Sequence, residues 1–565
     1  MRVVIAVLGM SFPVVAAVRE APTRLLVEDP AAGLPGARQA APPLFDGLGK
    51  HTRTVTTTSP DAQKYFNQGL NFLFAFNHDE AIRAFRHAAA LDPDCAMAHW
   101  GVAIACGPHI NKPAVPEERA KAARVAIEQA RAKAKTCSEA DRALIEAQAV
   151  RYADPPPADR RPLDEAYAKA MKAAWERFPT DADIGALFAE SLMDLRPWDL
   201  WSADGQPRPE TPEIVATLEA VQKLNPDHPL ALHLYIHAVE ASPEPGKADA
   251  AANRLRHLLP GLGHMVHMPS HIDIRRGRWQ EAIEANQRAT AADRKYAEAV
   301  PGQGFYRLYM AHNHHMLTFA AMMRGESELA LRTIREMLAG VPKEWVAVPE
   351  NAAIADGFLA APLEVMMRFG RWDDILKEPE PPELFPIARA LRHHARGVAH
   401  AAKGEPGQAR ESQKAFRAAA VKTPKEATFG NNTAADLFAV ADPMLEGEIL
   451  VAEGKTAEAV TALRRAVTKE DALRYDEPPD WVVPVRHALG VTLLRCGKPS
   501  EAEAVYREDL RKWPANGWSL FGLARSLEAQ GKAKEADEVR GQFREAWKRA
   551  DVELSSSCFC QPGGR

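Results

Sequence analysis

Six cysteines in 565 residues (Cys95, Cys106, Cys137, Cys496, Cys558 and Cys560) are too few to staple a chain of this length through disulfides, so a buried core has to hold it together. Beyond the N-terminus no apolar run reaches the ~20 residues that a membrane helix needs, so no membrane span is expected. The net charge is only −4 and is spread along the chain, which leaves no basic patch for nucleic acid or for an anionic membrane surface. HExxH, a Walker loop, a G-x-S-x-G elbow and a dinucleotide fingerprint are all missing, and no catalytic residue is assigned. What remains is ordinary for a folded protein: 46% hydrophobic and 26% charged residues, in a length that calls for several domains or a repeat array. Strings such as AKAARVAIEQARAKAK point to helices packed through small residues.

The N-terminal MRVVIAVLGMSFPVVAAVREAP combines Arg2, an apolar stretch and the small-residue site Val15-Ala16-Ala17, and residues 1–17 are predicted to be a signal peptide. The protein is then periplasmic or secreted, or cytoplasmic if the start is mis-called. Residues 18–60, rich in Pro, Gly and Thr, are predicted to be a flexible leader. At the other end, residues 551–565 read as a frayed tail, with a metal site or a terminal bridge at Cys558 and Cys560 as the alternatives.

A repeat starts at Tyr65. Within YFNQGLNFLFAFNHDEAIRAFRHAAALDP, the residues Tyr65, Gly69, Phe72, Ala81, Phe85, Ala88 and Pro93 fill the slots of the 34-residue tetratricopeptide pattern, a helix–turn–helix. Gly69 and Ala81 let the paired helices approach, aromatics fill the space between pairs, and Pro93 ends the second helix. Gly490, Ala502, Tyr506 and Pro514 repeat the frame, and Ala524 and Ala536 lie 34 residues after Gly490 and Ala502. Weaker copies centre on Ile236, Ser270, Thr318, Gly397 and Gly447. The predicted fold is therefore all-α, a right-handed α-solenoid of tetratricopeptide-like helix pairs. Its predicted parts are N-terminal repeats with Pro-rich insertions over 61–230, His-rich repeats over 231–340 and C-terminal repeats over 341–550. The clearest interruptions are 107–116, 153–163, 196–213 and 377–386.

Nine of the nineteen histidines fall between His233 and His315, in HLYIHAVE, HMVHMPSHI and HNHHM. In a solenoid of this type the first helix of each pair lines the concave groove, through positions six and three before the small-residue slot and one and four after it. Counting from Ile236 gives His233, His237 and Glu240; from Ser270, His264, His267 and His271; from Thr318, His312 and His315. His394 and His487 occupy the same column in later repeats. Imidazoles on neighbouring helices can converge on one ion, and His233, His237, Glu240, His267 and His271 are the predicted metal ligands, for Zn or Cu. Met265, Met268, Met310 and Met316 fall off the groove phase and read as core. The competing readings of the cluster are a metal-free polar ligand site and histidines that only brace the structure. Trp518, Phe521 and Arg525 are in groove phase near the C-terminus and form a candidate aromatic-plus-cation patch. His109 and Asn111 of GPHIN, and Trp198, Asp199 and Trp201 of LRPWDLW, are weaker candidates for closing or walling the groove.

The words YFNQGL, GPHIN, LRPWDLW, NPDHPLALHLYIHAVEASP, GHMVHMPSHIDIRRGRW and NGWSLFGL resemble a bacterial family of large tetratricopeptide-repeat proteins, over about residues 60 to 550. The resemblance implies fold more than function, and carries over only the polar cluster His233, His237, His264, His267, His271, His312 and His315. The chain departs from it at Asp273, where relatives commonly have an aromatic residue, and at MAHNHHM, where they tend to have a Pro-His-Asn pattern. The leading expectation is an exported binding protein or scaffold, with a protein, peptide or small ligand in its groove. The alternatives are a metal-dependent hydrolase, in which Glu240 would ligate the ion or act as general base, and a pure protein scaffold.

Overall fold

The computed structural model describes residues 41–561, so the segment read as a signal peptide lies outside the described residues. The chain is all-α, a right-handed solenoid of antiparallel helix pairs, with one two-stranded hairpin formed by Thr428–Phe429 and Asn432–Thr433. The pairs begin with Pro60–Phe74 and His78–Leu91 and end with Gly517–Ala529 and Ala533–Ala546. Side-chain caps start many of the helices: Ser59 accepts from the Ala62 amide, Asn77 from Glu80, Asp181 from Ile184 and Asn516 from Ser519. None of the described helices is long and apolar enough to cross a membrane.

The repeat frame has a direct packing cause. A Cβ on Gly69 or on Gly101 would sit 2.8 Å or 2.4 Å from the ring of Phe85, so one buried aromatic is clasped by two glycines on successive first helices. Tyr506 is held the same way at the other end, where a Cβ on Gly490 or Gly522 would lie 2.3 Å or 2.2 Å from its ring.

The ends are pinned rather than loose. Of the predicted leader, residues 41–59 form an extended strap on the first repeats. The Phe45 amide donates to Gln68 Oε1 at 2.9 Å, and the Tyr65 hydroxyl donates to the Pro42 carbonyl at 2.9 Å. Arg53 is buried among Asp141, Asp181 and Asp183, at 2.8, 3.0 and 3.0 Å. The expected frayed tail is likewise corrected. Asp551 caps the amides of Ser327 and Glu328, Ser557 meets the Tyr506 hydroxyl at 2.7 Å, and Cys558 is disulfide-bonded to Cys560 beside Glu448.

The solenoid curls tightly enough for its arms to touch the middle. Phe74 and Glu80 of the first pair reach His233 and Tyr296, and Pro514 and Trp518 of the last pairs reach Trp279 and the Met322 carbonyl. Loops that interrupt the repeat fill the interior. Asn111 of GPHIN donates to the Tyr309 hydroxyl and accepts from the Trp198 indole, both at 3.0 Å.

Candidate metal centre

Three stretches of helix carry the histidines. Pro229–Glu240 provides His233, His237 and Glu240; Gly263–His267 and Pro269–Arg275 provide His264, His267 and His271; Arg307–Arg324 provides His312. Pro269 lacks an amide donor and marks the break between the two short helices of the middle stretch. The expected groove column at mid-array is not open to solvent. His233 and His267 are fully buried, His264 and His271 nearly so, and His312 is mostly buried.

Ligating atoms come together in three overlapping groups: His233, His237 and His264; His267, His271 and His312; and His237, Glu240, His271 and Glu477. Within each group these atoms all lie within 4.8 Å of one another. The last group is tied together by Glu240, whose two oxygens lie 2.8 Å from His237 Nδ1 and 2.7 Å from His271 Nδ1. Glu477 Oε1 is 2.8 Å from His271 Nδ1, and the Tyr475 hydroxyl donates to Glu477 Oε2 at 2.9 Å.

Hydrogen bonding fixes two of the imidazole tautomers. His233 Nδ1 lies 2.9 Å from the Phe74 carbonyl, which can only accept, so this nitrogen carries the proton and Nε2 is bare. His267 Nδ1 lies 2.8 Å from Asn286 Oδ1, while the Asn286 amide nitrogen donates to the Ala282 carbonyl, so His267 Nε2 is bare as well. Each bare nitrogen faces another ring: His264 Nε2 at 3.1 Å and His271 Nε2 at 2.6 Å. His237 Nε2 and His264 Nδ1 are buried without a hydrogen-bond partner.

Burial dominates the electrostatics. It drives the protonation of His233, His237, His264, His267 and His312 far below the usual imidazole range, which keeps them in the neutral form that binds metals. Burial also pushes the Glu240 carboxyl up to about 8 and, with the neighbouring Glu240 charge, the Glu477 carboxyl well above its usual range. His237 and His271 contact both carboxyls, which also hydrogen-bond to each other, and Arg275 adds a nearby positive charge to Glu240, although no Lys or Arg is in ion-pair contact with either among the described residues.

Two of the three described non-glycine residues with positive φ border this cluster. Phe76 (φ 57°) packs on His233 with ring centroids 4.4 Å apart, and Trp198 (φ 61°) meets His237 edge to face at 5.2 Å. Such backbone costs about 1–3 kcal/mol per residue and persists only where the surroundings impose it. Trp198, His237, Glu240 and Tyr475 also line a cavity with Ile110, Met193 and Leu200.

Other candidate residues lie apart from this cluster. His315 packs on Phe358 and Phe429, with burial lowering its protonation to about 4. His487 pairs with Asp509 at 2.9 Å, and His394 is enclosed by Trp481 and Phe416. The predicted aromatic-plus-cation patch does not form. Trp518 is fully buried under the guanidinium of Arg368 at 3.5 Å, Phe521 packs on Phe543, and Arg525 points into solvent. Met265, Met268 and Met316 are buried in the core, and Asp273 is held by Arg256 and Arg278. Glu477 and Tyr475 went unrecognised in the sequence. Their one signal is the acidic, proline-bearing run DEPPD that interrupts the repeat between Asp471 and Val485.

Fold and site together define a helical-repeat protein of the tetratricopeptide type. The tetratricopeptide repeat family profile matches residues 485–517. No curated protein matches the chain. Among solved structures it is similar to human IFIT1 bound to m7Gppp-AAAA, at 13% identity over 87% of this chain and 91% of that one, with a TM-score of 0.31. It is also similar to the Cut9–Hcn1 hetero-tetramer of the APC/C (11% identity, 86% and 76% covered, TM-score 0.31) and to yeast Tom70 (11%, 86% and 91%, 0.28). Likeness at this level carries no argument about ligand or partner.

Proposed function

We propose that this chain is a helical-repeat binding protein or scaffold for a protein or peptide, which also holds divalent transition-metal ions at the buried histidine–carboxylate centre. One observation carries the metal reading. Glu240 and Glu477 are buried with no Lys or Arg in ion-pair contact among the described residues, and the bare Nε2 atoms of His233 and His267 face the Nε2 atoms of His264 and His271 at 3.1 and 2.6 Å. Two carboxyls buried side by side cannot both ionise without added positive charge, and the bare nitrogens of His233 and His267 offer lone pairs to a cation. A dication supplies the charge and takes up the lone pairs together, and imidazole-rich donors suit Zn or Cu. The hydrogen bonds from His233 to Phe74 and from His267 to Asn286 are the outer-shell contacts that orient metal-ligating histidines.

A metal-free peptide groove is less well supported at these positions, because the imidazoles are buried. Within the hydrolase reading, Glu240 as general base needs a free oxygen, whereas both of its oxygens are taken by imidazole nitrogens. Export fits the Cys558–Cys560 bridge, which belongs in an oxidising compartment.

Elemental analysis of protein purified without a polyhistidine tag is the test. Stoichiometric Zn or Cu, lost in a His237→Ala/His267→Ala double variant, is the expected result. Metal-free protein that takes up neither ion at micromolar concentration overturns the proposal.

A further inference from the structure

Resting on that metal reading, we infer that the centre takes two ions, each held by a copy of the same three repeat positions. His233 and His267 are 34 residues apart, as are His237 and His271, and 34 residues is one repeat. In the frame of Ile236 and Ser270 these are the positions three before and one after the small-residue slot. The third member of each trio is also equivalent. His264 lies six before Ser270 and His312 six before Thr318, so each trio takes two histidines from one first helix and one from the next.

The repeat extends to the tautomers and the outer contacts. In each trio the −3 histidine gives its Nδ1 proton to a fixed oxygen, the Phe74 carbonyl or Asn286 Oδ1, and presents Nε2 inward. In each trio the +1 histidine turns Nδ1 to Glu240, one to each carboxylate oxygen, at 2.8 Å and 2.7 Å. Glu240 is then no ligand but an outer-shell carboxylate that couples the two sites. Two ligands at 2.0–2.1 Å from a tetrahedral ion lie about 3.3 Å apart. The 3.1 Å between His233 and His264 is close to that spacing, and the 2.6 Å between His267 and His271 has to widen by about 0.7 Å on binding. All-imidazole donors select Zn, Cu or Ni over the oxygen-seeking Mg, Ca and Mn.

The competing arrangement is a single ion among His237 Nδ1, His271 Nδ1, Glu240 and Glu477, the third ligand group of the cluster. The full chain, stripped with EDTA, is reloaded with zinc sulfate, desalted and analysed for zinc per chain, with circular dichroism melts to confirm folding. Two zinc ions are expected for the wild type, and one for His264→Phe and for His312→Phe. One ion in the wild type, lost in Glu240→Gln or Glu477→Gln and indifferent to His264 and His312, overturns the inference. So do two ions that persist in both histidine variants. No zinc at all sinks the underlying metal reading instead. Should His264→Phe fail to fold, His312→Gln at its less buried position decides the matter alone.

Discussion

The indole N–H of Trp279 donates to the Pro514 carbonyl at 2.9 Å, joining positions 235 apart. This bond, with the Trp518 bond to the Met322 carbonyl at 2.9 Å, holds the last repeats against the middle of the array. Trp279→Phe is expected to cost about 1 kcal/mol for the lost hydrogen bond. Gly277→Ala should cost more, because its φ is +71° and a Cβ would sit 2.4 Å from the Pro514 oxygen. Urea unfolding of the two variants against the wild type measures both; an unchanged Gly277→Ala curve would contradict the closure.

Arg53 is the anchor of the N-terminal strap. Removing it leaves Asp141, Asp181 and Asp183 clustered without their guanidinium. Arg53→Met is expected to destabilise by about 3–5 kcal/mol, the range for breaking a buried ion pair from one side. Trypsin digestion should then cut near Lys50 well before the helical repeats are touched. Cleavage there as slow as in the wild type would count against the strap.

Glu364 gives a pH dependence whose sign is fixed. Burial pushes its carboxyl up to about 8, against about 4.3 in an unfolded chain. The folded state therefore holds the proton more tightly. Its contribution to stability is complete below about pH 4.3 and is lost as pH rises toward 8, at up to about 1.4 kcal/mol per pH unit. Glu364→Gln removes this titration, so the variant should gain on the wild type between pH 5 and pH 8 in urea unfolding. Parallel curves across that range would refute it.

Gly490→Ala tests the aromatic clasp within the stretch that matches the repeat profile. The added methyl meets the Tyr506 ring at 2.3 Å, and overpacking of that kind costs about 1–3 kcal/mol. A drop in melting temperature is expected, and relief by Tyr506→Leu in the double variant would assign the cost to that contact.

The repeat was legible because its signal is local. Gly69, Ala81 and Phe85 must recur in one order for two helices to pack, and that order survives in a single sequence. The six clustered histidines were legible for the same reason, since each position is set by its offset within one helix. Glu477 was not, because it comes from a loop whose place depends on the superhelix curling back. Trp518 was misjudged for a related reason: helical phase gives a direction, but Arg368 and Trp547 close over that direction. The strap from Phe45 to Arg53 was hidden by its composition, since Pro and Gly tracts look alike whether pinned or free.

His233 depends on the Phe74 carbonyl, 159 positions earlier, and Glu240 lies within 3.4 Å of the Tyr475 hydroxyl, 235 positions later. Contacts of such separation form late, because the loop-closure entropy is spent before they return anything. Tyr475 and Glu477 leave the ribosome well after the histidine helices, so the outer contacts of the cluster cannot be complete on a product that stops before them. On the metal reading, a product that stops before Tyr475 would hold zinc more weakly than one that includes it.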